Sequence, residues 1–339
     1  MKLIPVDNAV GMVLGHDITE IVPGRFKGPA FKRGHVIQPE DVNRLRDLGK
    51  ENIAALDLGP GWVHEDDAAQ RLATAASGPG ISLSAPCEGK VNLIAASDGL
   101  LKIDVNRLYD MNAFPDIMMA TLHTHQLVTA GQVVAGTRII PLTIKEEKLQ
   151  VAEAHCGPAA PVVAVKPLRP HRVGLITTGS EVYHQRIKDR FGPVVKKKIA
   201  SLSSHLLRQI YVPDDIPMTV AAIEALIGEG AQIVLITGGM SVDPDDLTPS
   251  SIRASGAEVI TYGAPVLPGA MFMLADLGGV PIMGLPGCVM YHETSIFDLV
   301  VPRILTGERL TRDDIISLGH GGMCIGCEDC RYPACGFGK

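Results

Sequence analysis

Three short glycine-bearing segments carry the residue types that hold an anion: Thr177-Thr178-Gly179-Ser180-Glu181, Thr237-Gly238-Gly239-Met240-Ser241 and Gly284-Leu285-Pro286-Gly287. Glycine lets backbone N–H groups converge, and Thr and Ser hydroxyls add donors, which is what a phosphate or a polar heterocycle requires. The candidate contacts are Thr178, Gly179, Ser180, Gly238, Gly239, Ser241, Pro286 and Gly287. The second segment continues as Val242-Asp243-Pro244-Asp245-Asp246-Leu247-Thr248-Pro249. Carboxylates beside an anion repel it unless a hard cation stands between them. Asp246 therefore has two readings, ligand of a bridging Mg²⁺ or cap of a helix that starts near Leu247.

A different chemistry ends the chain. Cys324, Cys327, Cys330 and Cys335 place four thiols within twelve residues flanked by glycines, enough for a short segment to wrap one metal centre. The spacing resembles a ferredoxin-type [4Fe-4S] run, except that the last gap is one residue longer and Pro333 precedes the final cysteine. Both [4Fe-4S] and Zn²⁺ stay open. Residues 319–339 have no core of their own and are expected to order only around metal. His320 is either a further ligand or a solvated loop residue, and His123 and His125 alternate as if onto one exposed strand face. Cys288 follows Gly287 directly and either touches the ligand or packs as a small residue. His292 and Glu293 open a helix, where Glu suits the dipole, while Cys87, His155 and Cys156 are read as structural.

The glycine segments need a sheet to gather them. Residues 173–177, 233–237, 258–261 and 280–283 are short apolar strand candidates, most of them separated by helical stretches. The fold class that follows is α/β, with a doubly wound, mainly parallel sheet preceded by smaller α/β and β-rich domains. In such sheets ligands bind beyond the carboxyl ends of the strands, where all three segments would lie. A helix over 193–210 would carry Val195, Ile199, Leu202, Leu206 and Ile210 on one stripe. Lys196, Lys197 and Lys198 would fall on its solvated face, or supply charge to the anion site. A second helix covers 217–227.

Upstream, Val42, Leu45 and Leu48 mark a helix closed by Gly49, and residues 53–56 a strand. Strands follow at 89–94, 100–105, 132–135 and 138–144, and the Pro- and Gly-rich stretch 156–170 cannot continue a helix. The expected domains are an α/β segment at 1–65, a β-rich domain at 66–168, the sheet domain at 169–310 and a metal-binding tail at 311–339.

Composition narrows the classes. Lys and Arg total 31 against 37 Asp and Glu, a formal charge of -6, so no basic excess supports nucleic-acid or acidic-membrane binding. Hydrophobic residues at 46% and charged ones at 20% exclude general disorder. No apolar run reaches about 18 residues, and Lys2 and Asp7 break any leader-like core, so the expectation is a cytoplasmic protein. Seven cysteines, four of them crowded at the end, point to reduced thiols rather than a disulfide framework.

Thr178-Gly179-Ser180-Glu181, Gly238-Gly239-Met240-Ser241-Val242 with Asp246, Pro268-Gly269, and Gly284-Leu285-Pro286-Gly287 with Phe297 and Pro302 carry a family resemblance. In order and spacing over about 171–308 they resemble the molybdopterin-binding domain of molybdopterin molybdenumtransferases, the group of the gephyrin E domain with its MoaB/Mog-type fold. Residues 11–18 resemble that family's opening segment more loosely. The resemblance implies binding of molybdopterin, or its adenylylated form, by the phosphate end. In full members it implies insertion of molybdate with Mg²⁺. Glu181 and Asp246 would then be catalytic, with Asp215 or its neighbour Asp214. A non-catalytic carrier or chaperone, or a regulatory module of the kind attached to nucleotide amidases, is the alternative. Implied partners are a recipient molybdoenzyme, other cofactor-maturation proteins and a second copy of the chain. The chain departs from the family at Leu267 and Ala270, where lysines are usual, and at Ser180, where Asp is usual.

Overall fold

The computed structural model describes residues 2–55, 58–156, 161–241 and 243–339, apart from the side chain of residue 2. The strand end expected at residue 56, residues 157–160 of the connector, and residue 242 of the second glycine segment lie outside the described residues. Contacts divide the chain into two compact units, one of Met1–Ser97, Leu101–Leu122 and Val128–Val165, the other of Asp98–Leu100, His123–Leu127 and Lys166–Lys339. No helix among the described residues is long and apolar enough to cross a membrane.

The first unit contains two cores. Strand Lys2–Pro5 pairs antiparallel with Asn52–Ala55, and Ile18–Val22 with Phe26–Phe31. Helix Asp41–Asp47 buries Leu45 in a cluster with Val6, Leu14, Ile37 and Ile53. The second core lies under an antiparallel sheet in the order Ile81–Leu83, Lys90–Ala95, Val133–Ile139, Ile117–Thr121. Along Lys90–Ala95 alternate residues Val91, Leu93 and Ala95 are buried, the period-two pattern of a sheet with one covered face. Helix Glu65–Ala76 supplies Ala68, Ala69, Leu72, Ala73 and Ala76 to that core. The strand expected over 138–144 breaks at Pro141, which lacks a donor, into Val133–Ile139 and Thr143–Lys145. Residues 100–105 likewise split, into strand Gly99–Ile103 and helix Val105–Asn112 capped by Asp104.

The second unit is built on a six-stranded sheet in the order His205–Val212, Arg172–Thr178, Ile233–Thr237, Val280–Leu285, Met273–Leu277, Glu258–Tyr262. The first four strands run parallel and the last two pairings are antiparallel. Both faces are covered, and the strands show it. Val173, Leu175, Ile233, Leu235, Met283 and Leu285 enter one core with helices Phe191–Ser201 and Ile296–Leu305, whereas Ile176, Val234, Ile236 and Ile282 enter the other with helix Ile216–Gly228. Alternating residues, all apolar, are what a doubly wound sheet demands, and each fully buried aliphatic contributes about 1.5–3 kcal/mol.

One expectation fails here. The helix proposed for 193–210 stops at Ser201, and Ser203, at φ 58° in the left-handed region, turns the chain into strand His205–Val212. Leu206 and Ile210 belong to that strand. They continue the apolar spacing of the helix by coincidence, and Leu202-Ser203-Ser204 is the break. Lys198 is not on a solvated face either. Its ammonium binds both carboxylate oxygens of Asp298 at 2.8 Å and the Glu293 carbonyl at 2.6 Å. Asp298 also closes a capping box with Ser295 at the start of helix Ile296–Leu305. Burial pushes the Asp298 carboxyl up against the pull of Lys198, so the cation's charge is committed to that helix end.

Candidate functional site

Strand register gathers the three glycine segments on one rim. Thr177 pairs with Thr237, and Thr237 with Leu285, so the chain leaves all three strands at the same level. A hydroxyl ladder ties the strand ends together: Thr237 Oγ1 donates to Ile176 O and to Thr177 Oγ1, both at 3.3 Å, and Thr178 Oγ1 donates to Thr237 O at 3.3 Å.

The second segment is wedged against the first. Gly238 has φ 90°, and a Cβ there would lie 2.3 Å from Thr178 O; Gly239 has φ 56°, and its Cβ would lie 2.8 Å from Thr248 Oγ1. Thr248 pins both glycines, donating its hydroxyl to Gly238 O at 2.8 Å and its N–H to Gly239 O at 3.2 Å. The carbonyls are thus used. The N–H groups of Gly238, Gly239, Ser241 and Gly287 find no acceptor among the described residues.

These residues line one cleft of about 490 Å³. Its other walls include Phe191, Asp246, the Leu267–Met271 segment, Pro286 and Cys288. Among the lining residues there is no Lys, Arg or His, and Asp246 is the sole carboxylate. On the far wall, Leu267 N–H donates to Gly322 O, and Pro268 O accepts from Ile296 N–H. Burial raises the Cys288 thiol, which stays protonated as a small half-buried group.

Helix Thr248–Ala254 begins after Leu247 with no side-chain cap. The Asp246 carboxylate instead accepts from the Asp243 N–H at 3.0 Å, within its own turn, which corrects the capping alternative. Glu181 folds back so that a Cβ on Gly179 would meet its carboxylate at 2.8 Å, and it does not line the cleft. Thr178 is buried beneath Gly238. Ser180 is held by Asp214, which accepts from its N–H at 2.9 Å and its hydroxyl at 3.1 Å. Asp215 caps helix Ile216–Gly228 by accepting from Met218 N–H at 2.8 Å. The structure therefore brings Gly238, Gly239, Ser241, Asp246, Pro286 and Gly287 together, and sets Thr178, Gly179, Ser180, Glu181 and Asp215 behind or beside them. Phe191 and the pin Thr248 carried no signal in the sequence. Phe297 is a fully buried core residue, with Lys198 over its ring.

The tail, expected to have no core of its own, shares that of the second unit. Phe337 is 4% exposed within the core of the second unit, and Tyr332 and Cys335 pack against it. His320 is exposed and lies apart from the cysteines' cavity, and His123 and His125 sit at a turn with His125 at φ 65°, not on a strand.

Residues 174–306 match the family model described as "Probable molybdopterin binding domain", and residues 3–57 one described as "Domain of unknown function (DUF8806)". The 174–306 segment is a domain of the molybdopterin-binding family. The chain is 27% identical over 111 residues to the "Molybdenum cofactor biosynthesis bifunctional protein" of Synechococcus elongatus, covering 33% of this chain and 28% of that one. It is 34% identical over 91 residues to a "CinA-like protein" of Mycobacterium sp. (strain JLS), covering 26% and 21%. The chain thus spans between a fifth and a third of the length of these curated relatives. Among solved structures, the tungsten cofactor synthesizing protein MoaB from Pyrococcus furiosus aligns at 20% identity and a TM-score of 0.35, over 42% of this chain and 98% of that one.

Proposed function

We propose that the sheet domain at 169–310 binds molybdopterin by its phosphate end in the 490 Å³ cleft, and that the protein serves molybdenum cofactor maturation. The observation that carries this reading is that Gly238, Gly239, Ser241 and Gly287 line one cleft and that their N–H groups have no acceptor among the described residues. Unpaired amides gathered at a concavity are a recurrent means of holding a phosphate without side-chain charge. Asp246 fits Mg²⁺ at that end, because Mg²⁺ takes one or two carboxylates and completes its shell with substrate oxygens and water. When bound, the ion would neutralise phosphate charge beside Asp246.

The cation-free lining favours holding the cofactor over inserting molybdate. An oxyanion brought to the pterin has no guanidinium or ammonium to receive it where Leu267 and Ala270 stand. The protein then acts as a carrier that releases its cargo to a recipient molybdoenzyme. Mass spectrometry of small molecules copurifying with the full chain from a molybdenum-replete host tests the binding, and a molybdopterin-derived species is the expected result. AMP release from adenylylated molybdopterin with Mg²⁺ and molybdate tests the chemistry. Bound pterin without AMP release is the expected pair, turnover would make the protein a transferase, and absence of any pterin would leave a regulatory module.

A further inference from the structure

Cys324, Cys327, Cys330 and Cys335 all line one cavity of about 440 Å³, separate from the cleft. The frame around it is firm. Cys324 N–H donates to Leu267 O at 2.8 Å, Gly338 N–H to Gly321 O at 2.9 Å, and the Tyr332 hydroxyl to Asp298 O at 3.1 Å. The Pro333 carbonyl, between the last two cysteines, accepts from both Gln126 Nε2 at 3.1 Å and Lys339 Nζ at 2.6 Å. Cys324 and Cys335 are half-buried against the core, and Cys327 and Cys330 face outward, with Thr294 Oγ1 3.2 Å from the Cys330 sulfur. All four are free thiols.

The cavity bears on the two metal chemistries that the spacing alone leaves open. A zinc–thiolate centre has Zn–S bonds of about 2.3 Å in a tetrahedron, which needs sulfurs about 3.8 Å apart. Among the described residues no three of His, Cys, Asp and Glu stand close enough together to hold one metal ion. All four cysteines instead line one cavity of about 440 Å³, far more room than a single ion takes. Iron–sulfur clusters are the thiolate-bound centres that fill such a space, and the Cys324-x-x-Cys327-x-x-Cys330 spacing is that of the four-iron type, in which each iron of the cube faces outward to its own cysteine. We infer that the tail is the site of a [4Fe-4S] cluster ligated by Cys324, Cys327, Cys330 and Cys335. Ligation exchanges four S–H bonds for four Fe–S bonds and releases four protons to solvent, and the [4Fe-4S]²⁺ cluster itself is supplied preassembled or built from two Fe²⁺, two Fe³⁺ and four sulfide ions. Arg331 lines the same cavity and suits the negative charge of the ligated centre. This inference is independent of what the cleft binds.

The test is iron, zinc and acid-labile sulfide analysis of the full chain purified anaerobically, and again after anaerobic incubation with Fe²⁺, Fe³⁺ and sulfide. About four iron and four sulfide per chain are expected, with visible charge-transfer absorption that bleaches on reduction. Cys327→Ser and Cys330→Ser change exposed side chains, so each should fold as the parent does by circular dichroism and lose at least half of the iron and sulfide. Cys87→Ser lies in the other unit and should lose none. Zinc without sulfide, no uptake after incubation, or cluster content that survives both tail variants would each overturn the inference.

Discussion

Gly238 and Gly287 are the same amino acid lining the same cleft, yet the structure asks different things of them. Gly238 has φ 90° and a neighbour 2.3 Å from any Cβ, so Gly238→Ala should cost about 2–4 kcal/mol in urea unfolding. Gly287 has φ −53°, and a Cβ there meets nothing nearer than the Phe191 ring at 3.9 Å. Nothing in the protein requires glycine at that exposed position. Gly287→Ala should leave stability unchanged within about 1 kcal/mol while weakening pterin binding at least tenfold, about 1.4 kcal/mol, by equilibrium titration. Unchanged affinity would remove the third segment from the binding site. The glycine segments were legible from composition alone, because few residue types let amides converge. Which glycine serves the fold and which serves a guest was not, since the answer depends on Thr178 lying across Gly238 from another strand. The adjacent Asp214 and Asp215 carry the same lesson: one reaches Ser180 and the other turns to cap a helix.

Elements decide which of these contacts can exist. The parallel strands at 173–177, 233–237 and 280–283 were readable as apolar runs leading into glycine segments, but their order in the sheet was not. The strand His205–Val212 was not, because its Leu206 and Ile210 keep helical spacing with the preceding helix and only the Ser pair marks the break. Tail docking was also hidden, as Phe337 finds its core in helix Ile296–Leu305, whose Leu299 side chain a Cβ on Gly338 would meet at 2.3 Å. Phe337→Ala should cost about 3 kcal/mol of tail docking, measured as a loss of hydrogen-exchange protection at residues 322–338 with the sheet unaffected. Helix Glu65–Ala76 in the first unit carries a pH dependence. Its cap His64 is fully buried, accepts from Asp66 N–H at 3.1 Å and lies 2.5 Å from Gly15 O. Burial, then Arg33, holds its pKa below the usual 6.5. Below pH 6.5 the unfolded chain therefore binds more protons, and stability present above that pH is lost as the pH falls toward the folded-state pKa. The urea midpoint of the first unit should drop on going from about pH 7.5 to about pH 5.5. In His64→Asn, whose cap does not titrate, the drop should shrink; an equal drop would assign it elsewhere.

At the scale of the whole molecule, charge and cleft work against each other. The chain carries a formal charge of -6, and the cleft lining holds no cation to reverse that field locally. An anionic guest should therefore associate faster as salt rises from about 20 mM to about 200 mM, the reverse of a lysine-lined site, with stopped-flow association as the measurement. Leu267→Lys together with Ala270→Lys should invert that salt dependence. The shared seam at Leu267 has a further consequence. Its N–H is given to Gly322 and its carbonyl to Cys324, so that stretch of wall has no polar group left to offer. A molecule lodged there is interrogated by amides at one end and merely fenced by hydrocarbon at the other. Selectivity should accordingly be lopsided, strict about the charged terminus and indifferent to modest changes in the body that rests against Leu267.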